Sequence, residues 1–423
     1  MRILIVTIFF PPLNSIASLR PYSWAKYWTE AKHDVTVLTT SKYQNPELDL
    51  NFANNGFNVI ELPLPGFLSK LKHSHSQQAT ASSPPSLLHK IFHRLKHKNG
   101  IFNSCRMPDF SHFWINSAVQ AIQKKGNWDL VISTAGPYTV HIVAEKLKKL
   151  GLASKWIADY RDTWSNNFAF PGLFPFNLIE KAWERKLLRS ADAITTVSQP
   201  LVDSFRQQFR HKNVHLVENG FDTSDLNLLQ PESIFPDDGK YRIVHTGSIY
   251  QGKRDPSALF QAIAEIGRDS SICHLLDKLE VLFAGTNQAN LQELIDNFGV
   301  SRWVKMAGFL SRNDALRMQR DAHLLLFLPW TDASVDGILT GKLFEYFFSK
   351  TPIMAVGAKK IEAAQKLILE GKFGHCFITT EEIKTFLCTE LKSPVKKKLT
   401  SNSKFLELYD RKALAMKLLE NLV

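Results

Sequence analysis

The residues best suited to do chemistry lie in one stretch, from Asp336 to Ile353, where glycines and charged side chains are spaced as at a phosphate site. Gly341 would let backbone N–H groups approach an anion closely, and Thr340 can cap a helix that starts there. The N-terminus of a helix attracts an anion through its dipole, and Lys342 adds a full positive charge. This spacing therefore predicts the mouth of a phosphate-binding site.

Glu345 falls in the first turn of the same predicted helix. A bound phosphate would repel its carboxylate, so the contact we expect for Glu345 is the hydroxyl pair of a ribose or a sugar. An ordinary amphipathic helix, with Lys342 and Glu345 in solvent and its apolar residues in a core, is the alternative. From these residues alone, both interpretations stay open.

A second candidate phosphate clamp follows the strand predicted at 241–246. Gly247 and Ser248 form a turn at the end of this strand, and two cations, Lys253 and Arg254, come shortly after it. Lysine supplies a point charge and arginine a fork, and either could neutralise a diphosphate while the other pairs with Asp255. Because the sequence contains no DxD motif, we expect no metal ion in this role.

Polar side chains also follow two predicted strands of the N-terminal half. His141 lies in the first turn of a helix, where the dipole disfavours its protonation. Asp159, Arg161 and Asp162 place two carboxylates and a guanidinium at one strand tip, which could hold an acceptor hydroxyl. Arg20, at the start of the first helix, could meet an anionic ligand or form a surface ion pair. A lone histidine or aspartate in a loop is usually structural, so only the coincidence of two polar strand tips favours a functional role.

The elements that must position these residues alternate between short apolar strands and helical stretches, which predicts α/β domains with parallel, doubly wound sheets. Ligands bind such sheets at the carboxyl ends of the strands. In the N-terminal half the predicted strands are 3–7, 35–39, 58–62, 130–133, 155–159, 193–197 and 213–217, and the predicted helices are 19–31, 113–125, 139–150 and 176–190.

The pattern restarts after a polar, proline-bearing connection at 231–239, where we place a domain boundary. In the second half the predicted strands are 241–246, 279–284, 304–307, 324–328, 352–356 and 375–378, and the predicted helices include 257–266, 291–298 and 315–320.

Composition is consistent with this plan. A chain of 423 residues is too long for one ordinary core, and 44% apolar with 22% charged residues is typical of a globular protein. The four cysteines form no CxxC pair, which argues against a zinc site or a disulfide framework. Neither a signal peptide nor a run long enough to span a membrane is visible, so we expect a cytoplasmic protein.

The net charge of +12 implies an acidic partner. Much of it lies at 70–98, inside an insertion at 67–109, and this basic segment contains no acidic residue. Its second part has the pattern of a basic amphipathic helix, which could lie on the anionic inner face of a membrane or pack on its own domain. Nucleic acid is a less favoured partner, because no zinc finger or RNP motif accompanies the charge.

The order of these motifs resembles the retaining glycosyltransferases of the GT-B fold, grouped as glycosyltransferase family 4. The resemblance covers nearly the whole chain. It implies two Rossmann-like domains facing across a cleft, an acceptor-binding domain at 1–230 and a nucleotide-sugar-binding domain at 240–400. It also implies that a final helix within 401–423 crosses back to the N-terminal domain.

The resemblance further implies a nucleotide-diphosphate sugar as donor, with uridine diphosphate as the expected carrier and no separate cofactor. A saccharide or a lipid-linked saccharide would be the acceptor, as in polysaccharide, glycolipid or lipopolysaccharide synthesis. Lys253 or Arg254 would hold the diphosphate, the turn from Gly337 to Lys342 the sugar and phosphates, and Glu345 the ribose. Attack from the same face would retain the anomeric configuration, with the leaving phosphate helping to take the acceptor proton.

Three departures from the family pattern concern the reacting groups. Gly337 stands where many members carry a first glutamate, and Ser15 and Ile16 replace glycines of the first loop. Where many members place a histidine, this chain has Arg161 and Asp162. With His141, these two are our candidate catalytic residues, and Arg20 and Asp159 are our candidates for binding the acceptor.

Two rival functions stay open. A non-hydrolysing nucleotide-sugar epimerase of the GT-B fold would need acid and base carboxylates, which Asp159 and Asp162 could supply. A non-enzymatic scaffold at a membrane surface could be built on the basic segment 70–98, and it would bind no nucleotide.

Overall fold

The computed structural model describes residues 1–42, 50, 52, 56–64, 106, 109–167, 172–249, 254–285, 289–330, 339–357, 362–400 and 403–422. The chain forms two compact units. The N-terminal unit comprises Met1–Glu218 and Ala415–Val423, and the C-terminal unit comprises Asn219–Leu414. The change of unit between Glu218 and Asn219 precedes the connection at 231–239 where the sequence analysis places the boundary.

The N-terminal unit is built on a sheet of seven parallel strands in the order β3-β2-β1-β4-β5-β6-β7. Its central strands are almost wholly buried because helices cover both faces, as their apolar sequences require. The strands are β1 (Arg2–Val6), β2 (Asp34–Thr40), β3 (Asn58–Leu62), β4 (Trp128–Thr134), β5 (Ala153–Tyr160), β6 (Ala193–Thr196) and β7 (Asn213–Leu216).

Helices α1 to α5 of this unit are α1 (Ile16–Glu30), α2 (Ile115–Gln123), α3 (Thr139–Lys149), α4 (Phe176–Leu188) and α5 (Gln199–Gln208). The Oγ atom of Ser15 caps α1 by accepting a hydrogen bond from Ala17 N at 3.2 Å. Trp24 and Trp28 stack in the core beside this helix, and Trp28 Nε1 donates to Ala415 O at 2.8 Å. The C-terminal residues are thereby fixed to the N-terminal unit.

The C-terminal unit contains a sheet of six parallel strands in the order β10-β9-β8-β11-β12-β13. Its strands are β8 (Tyr241–Thr246), β9 (Leu279–Ala284), β10 (Val304–Gly308), β11 (Leu324–Phe327), β12 (Ile353–Val356) and β13 (Gly374–Phe377). The remaining helices are α6 (Ser257–Arg268), α7 (Ala289–Phe298), α8 (Arg312–Asp321), α9 (Gly341–Ser349), α10 (Ala363–Glu370), α11 (Thr380–Lys392), α12 (Ser403–Glu407) and α13 (Arg411–Leu422).

The predicted α/β class with two doubly wound parallel sheets is confirmed. Each predicted strand is present, with ends that differ by no more than two residues. The predicted closing helix is instead two helices, α12 and α13, because Asp410 leaves helical geometry to bridge Phe221. From Ala415 onward the chain belongs to the N-terminal unit, as the fold class predicts.

Two sequence-based predictions concern membranes. The basic segment 70–98 lies outside the described residues, so its predicted helix stays a prediction. No helix within the described part of the chain is both long and apolar enough to cross a bilayer.

Candidate active site

The C-terminal unit has its topological switch point between β8 and β11, which are neighbours in the sheet. After β8 the chain continues to β9 on one side, and after β11 it continues to β12 on the other side. Gly247 directly follows β8 and has a φ of +122°, a conformation that side-chain-bearing residues rarely adopt. A Cβ atom at Gly247 would overlap the ammonium group of Lys342. The two stretches predicted as phosphate clamps therefore meet here, and the glycine makes room for the lysine.

Lys342 lies in the first turn of α9, next to the buried side chain of His245. The distance from Lys342 Nζ to His245 Nε2 is 3.4 Å, and His245 Nδ1 lies 2.9 Å from the carbonyl oxygen of Leu326. A carbonyl can only accept, so Nδ1 carries the proton and Nε2 turns its lone pair toward the ammonium. Burial and the neighbouring charge of Lys342 lower the pKa of His245 well below its usual value, which keeps the ring neutral.

Burial also lowers the pKa of Lys342 well below its usual value. The positive charge of Arg254 adds to this effect, and the carboxylate of Glu345 opposes it. Among the residues that the structure describes, Lys342 forms no ion pair, and its polar neighbour is the neutral His245. Within the described part of the site, Lys342 is thus a half-buried cation without an anionic partner, and an anion placed there would favour its charged form.

Arg254 is half-buried on the loop that follows β8, and its Nη1 donates to the carbonyl oxygen of Ser248 at 3.3 Å. It also lines a small depression at the end of β11, together with Trp330, Thr340 and Glu362. Arg254, one of the two predicted cations, therefore lies beside the depression at the start of α9. Lys253 lies outside the described residues, so its predicted role stays a prediction.

Glu345 is buried, with an exposed fraction of 9%, so the alternative in which it stands in solvent is wrong. Its Oε1 accepts from Arg312 Nη1 at 2.8 Å and its Oε2 from Gln319 Nε2 at 3.3 Å. Burial raises the pKa of this carboxyl, but the charge and hydrogen bond of Arg312 outweigh burial and the pKa is lowered. Arg312 also pairs with Asp225 at 2.7 Å. Glu345 is therefore ionised and held in a fixed position.

The residues that hold Glu345 were missed by the sequence analysis. Arg312 and Gln319 lie on α8 seven residues apart, so they share one face of that helix. That spacing is visible in the sequence, but it does not show that the shared face meets α9. The apolar residues of α9 do pack into a core, as the alternative also predicted: Leu343, Phe344, Phe347 and Phe348.

In the N-terminal unit, Asp159 at the end of β5 has no exposed surface. Arg20 binds it with two nitrogens, Nε at 3.1 Å and Nη2 at 2.7 Å. The hydroxyls of Thr134 and Thr195 each donate to it at 2.7 Å. Arg20 also donates to the carbonyl oxygen of Glu218 at 2.9 Å. The two predicted acceptor-binding residues thus hold each other and the strand ends, and both are buried.

His141 is fully buried among aromatic rings, with Tyr160 centred 4.6 Å away. Its Nδ1 hydrogen-bonds Ser133 Oγ at 2.8 Å, and burial lowers the pKa of His141 to about 3. The ring is neutral, as predicted, although burial rather than the helix dipole is the main cause. A catalytic role for this side chain would require the core around it to open.

Arg161 and Asp162 lie at the surface end of β5. Arg161 Nε donates to the carbonyl oxygen of Ala135 at 2.7 Å, and its guanidinium lies 5.7 Å from the ring centre of Phe9. Asp162 is exposed as a residue, and its backbone carbonyl accepts from Tyr138 OH at 3.1 Å. Burial of its carboxyl raises the pKa of Asp162, and the charge of Arg161 opposes this effect. Of the three candidate catalytic residues, Asp162 is the most exposed.

No group of three or more His, Cys, Asp or Glu side chains within the described ranges is arranged to hold a metal ion.

Gly247→Ala is expected to lower the free energy of unfolding by about 1–3 kcal/mol, because alanine is strained at this φ. It should also weaken nucleotide binding, since the new methyl group displaces the Lys342 ammonium. Urea denaturation and calorimetric titration measure the two effects. Gly299→Ala is the matched control, because Gly299 has a φ of +68° and open space at its Cβ position. Equal nucleotide affinity in both variants would refute the proposed role of Gly247.

Two doubly wound parallel sheets, of seven and six strands, define the fold class of this chain, which is the GT-B fold. Residues 21–225 match the family Glycosyltransferase Family 4. The recognition of this family from the sequence is thereby confirmed. A search of curated proteins finds no match.

Solved structures of similar fold include a sucrose-phosphate synthase from Thermosynechococcus elongatus, at 13% identity and a TM-score of 0.63, with 100% of this chain and 98% of that chain covered. A TarM variant from S. aureus, in complex with fondaparinux, alpha-GlcNAc-glycerol and UDP, has 10% identity, a TM-score of 0.57 and 99% coverage of both chains. A UDP-N-acetylglucosamine 2-epimerase from Listeria monocytogenes has 12% identity, a TM-score of 0.52, and coverage of 99% and 94%.

Proposed function

We propose that this protein transfers a sugar from a nucleotide-diphosphate sugar to a saccharide or a lipid-linked saccharide, with retention of the anomeric configuration. One observation carries the proposal: the half-buried Lys342 ammonium lies at the switch point beside Arg254, and among the described residues its polar neighbour is a neutral histidine. A diphosphate would supply the missing negative charge. Uridine diphosphate is the proposed carrier, a choice supported by the UDP in the TarM complex.

In the proposed reaction, positive charge develops at the anomeric carbon and negative charge on the leaving diphosphate. Lys342 and Arg254 stabilise that negative charge, which is larger in the transition state than in the bound donor. The carboxylate of Glu345, fixed by Arg312, accepts from the ribose hydroxyls. The acceptor hydroxyl attacks from the face that the diphosphate leaves, and the leaving phosphate helps to take its proton.

A panel of nucleotide diphosphates and their sugars tests the donor site. A ligand at about a hundred times its Kd adds about 2.7 kcal/mol to the folded state, which a thermal-unfolding assay detects. Uridine diphosphate is expected to raise the midpoint more than guanosine or thymidine diphosphate does. The anomeric configuration of the product, measured by NMR, then tests retention. If none of these diphosphates binds, the non-enzymatic scaffold is favoured and the transferase proposal fails.

Epimerisation is the second candidate, because the epimerase from Listeria monocytogenes shares the fold. In this chain the hydrogen bonds of Asp159 are already satisfied by Arg20, Thr134 and Thr195, so this carboxylate is poorly placed as an acid or base. Product analysis without an acceptor distinguishes the two reactions. An epimerised nucleotide sugar would contradict the transferase proposal.

The proposed setting is the cytoplasmic face of a membrane, where the basic segment 70–98 would bind anionic lipid in the synthesis of a cell-surface polysaccharide or glycolipid. Deleting 86–98 is expected to lower the fraction of protein recovered with vesicles that contain phosphatidylglycerol, because each basic residue near such a surface contributes about 1 kcal/mol. Nucleotide affinity should stay unchanged. Equal sedimentation of the deletion variant and the full chain would contradict this role of the segment.

A further inference from the structure

Helix α4 of the N-terminal unit turns its two acidic residues inward. Glu180 is buried, pairs with Arg106 at 2.8 Å and accepts from Trp164 Nε1 at 3.2 Å. Glu184 is also buried and accepts from both the backbone N–H and the hydroxyl of Ser165. Leu187 and Leu188 of the same helix are buried in the core, as is usual, but a surface helix of a water-soluble domain usually places its glutamates in solvent. These bonds fix which face of α4 points outward.

The outward face and the turn before it are apolar and basic. Phe174 is 76% exposed and Phe176 61% exposed, and three aliphatic side chains around them are exposed as well: Leu173, Leu178 and Ile179. Further along the helix the exposed charged residues are Arg185, Lys186 and Arg189. Within the described span 172–189, Glu180 and Glu184 are the only acidic residues, so no carboxylate of this span is exposed beside the cations.

We propose that this face, the 173–189 surface, docks on a membrane that contains anionic lipid. The aromatic and aliphatic side chains at the start of α4 enter the boundary between headgroups and acyl chains, and Arg185, Lys186 and Arg189 contact lipid phosphates. This combination of exposed apolar residues and cations on one helix face is typical of interfacial helices. It lies outside the basic segment 70–98, so the two predictions can be tested separately.

Charge favours lipid over a second copy of the chain as the occupant. In a two-fold symmetric dimer the same face meets itself, which would bring Arg185, Lys186 and Arg189 against their own copies without an exposed carboxylate from this span. An anionic bilayer covers the apolar residues and neutralises the cations together. Because vesicle binding needs no nucleotide sugar, this inference does not depend on the proposed reaction.

The test is co-sedimentation with vesicles of phosphatidylcholine plus phosphatidylglycerol, and with vesicles of phosphatidylcholine alone. Changing both Phe174→Ser and Phe176→Ser is expected to lower the partition coefficient at least about tenfold on the mixed vesicles. A second variant, with Arg185→Gln and Lys186→Gln, should lose most of the preference for phosphatidylglycerol. It keeps the apolar residues, so it also serves if the first variant folds poorly.

The matched control carries Leu150→Ser and Phe309→Ser, which remove two exposed apolar side chains from other surfaces. It is expected to bind vesicles as the unchanged protein does. Unchanged binding by the Phe174 and Phe176 variant would overturn the proposal. So would a concentration-dependent dimer, seen by analytical ultracentrifugation without vesicles and abolished by the same two changes, because the face would then be an interface between copies.

Discussion

Replacing Glu345 with alanine is expected to lower the free energy of unfolding by about 3–5 kcal/mol and to cut turnover at least about tenfold. The loss of stability follows from Arg312, whose side chain is only 14% exposed and which would lose one of its two carboxylate partners. The loss of turnover follows from the proposed contact of Glu345 with the ribose. Urea denaturation measures the first effect, and steady-state kinetics with a nucleotide sugar measures the second.

Asp225→Ala distinguishes these two contributions. Asp225 binds the other terminal nitrogen of Arg312 at 2.7 Å, so its removal also leaves the guanidinium half-paired. We expect a similar loss of stability from this variant but a smaller loss of nucleotide affinity than from Glu345→Ala. If calorimetric titration gives equal nucleotide affinities for the two variants, Glu345 acts only through Arg312 and the proposed ribose contact is wrong.

The fold could be predicted from the sequence because its signal is local. The strand β9 is an apolar run interrupted by Glu280, and β8 has Ile243 and Val244 at its centre. The predicted bounds of both strands are the same as the observed ones. The break between α12 and α13 could not be predicted in this way. It depends on the bridge between Asp410 and Phe221, residues far apart in sequence, and no local pattern marks it.

The candidate site was predictable in part. The sequence predicted Gly247 and Lys342 to belong to two phosphate clamps, and the structure places these two residues next to each other. Their role in binding phosphate stays a prediction. His245 was missed because successive residues of a buried strand point to opposite faces of the sheet. The sequence does not show that Lys342 lies against the face on which His245 points. The spacing of charges likewise does not reveal that the carboxylate of Asp159 pairs with a buried arginine, whereas Asp162, three residues later, is an exposed residue.

The orientation of α4 is another feature that could not be predicted from local sequence. Its sequence reads as an ordinary amphipathic helix, and its glutamates would usually be assigned to the solvent face. In the structure Arg106 and Ser165 hold Glu180 and Glu184 inside, and the exposed apolar residues are those of the first turns, whereas Leu187 and Leu188 stay in the core. The residues that hold these two glutamates inside come from other parts of the chain.

Lys342→Ala is expected to raise the Kd of the nucleotide diphosphate about 10- to 150-fold, because a hydrogen bond between charged groups contributes about 1.5–3 kcal/mol. Calorimetric titration measures this change. Lys366→Ala, which removes an exposed lysine from α10 of the same unit, is the matched control and should bind as the unchanged protein does. A loss of less than about twofold for Lys342→Ala would contradict the phosphate assignment.

The pH dependence of binding gives a second and independent test of Lys342. Burial and Arg254 lower the pKa of Lys342 in the free protein, and a bound diphosphate would raise it again. Binding then takes up a proton above the free-protein pKa, so affinity is full below that pKa and falls as the pH rises through it toward the pKa in the complex. The decline should begin well below the usual lysine range. Lys342→Ala should bind weakly with no such decline, whereas an equal decline in both proteins would assign the titration to another group.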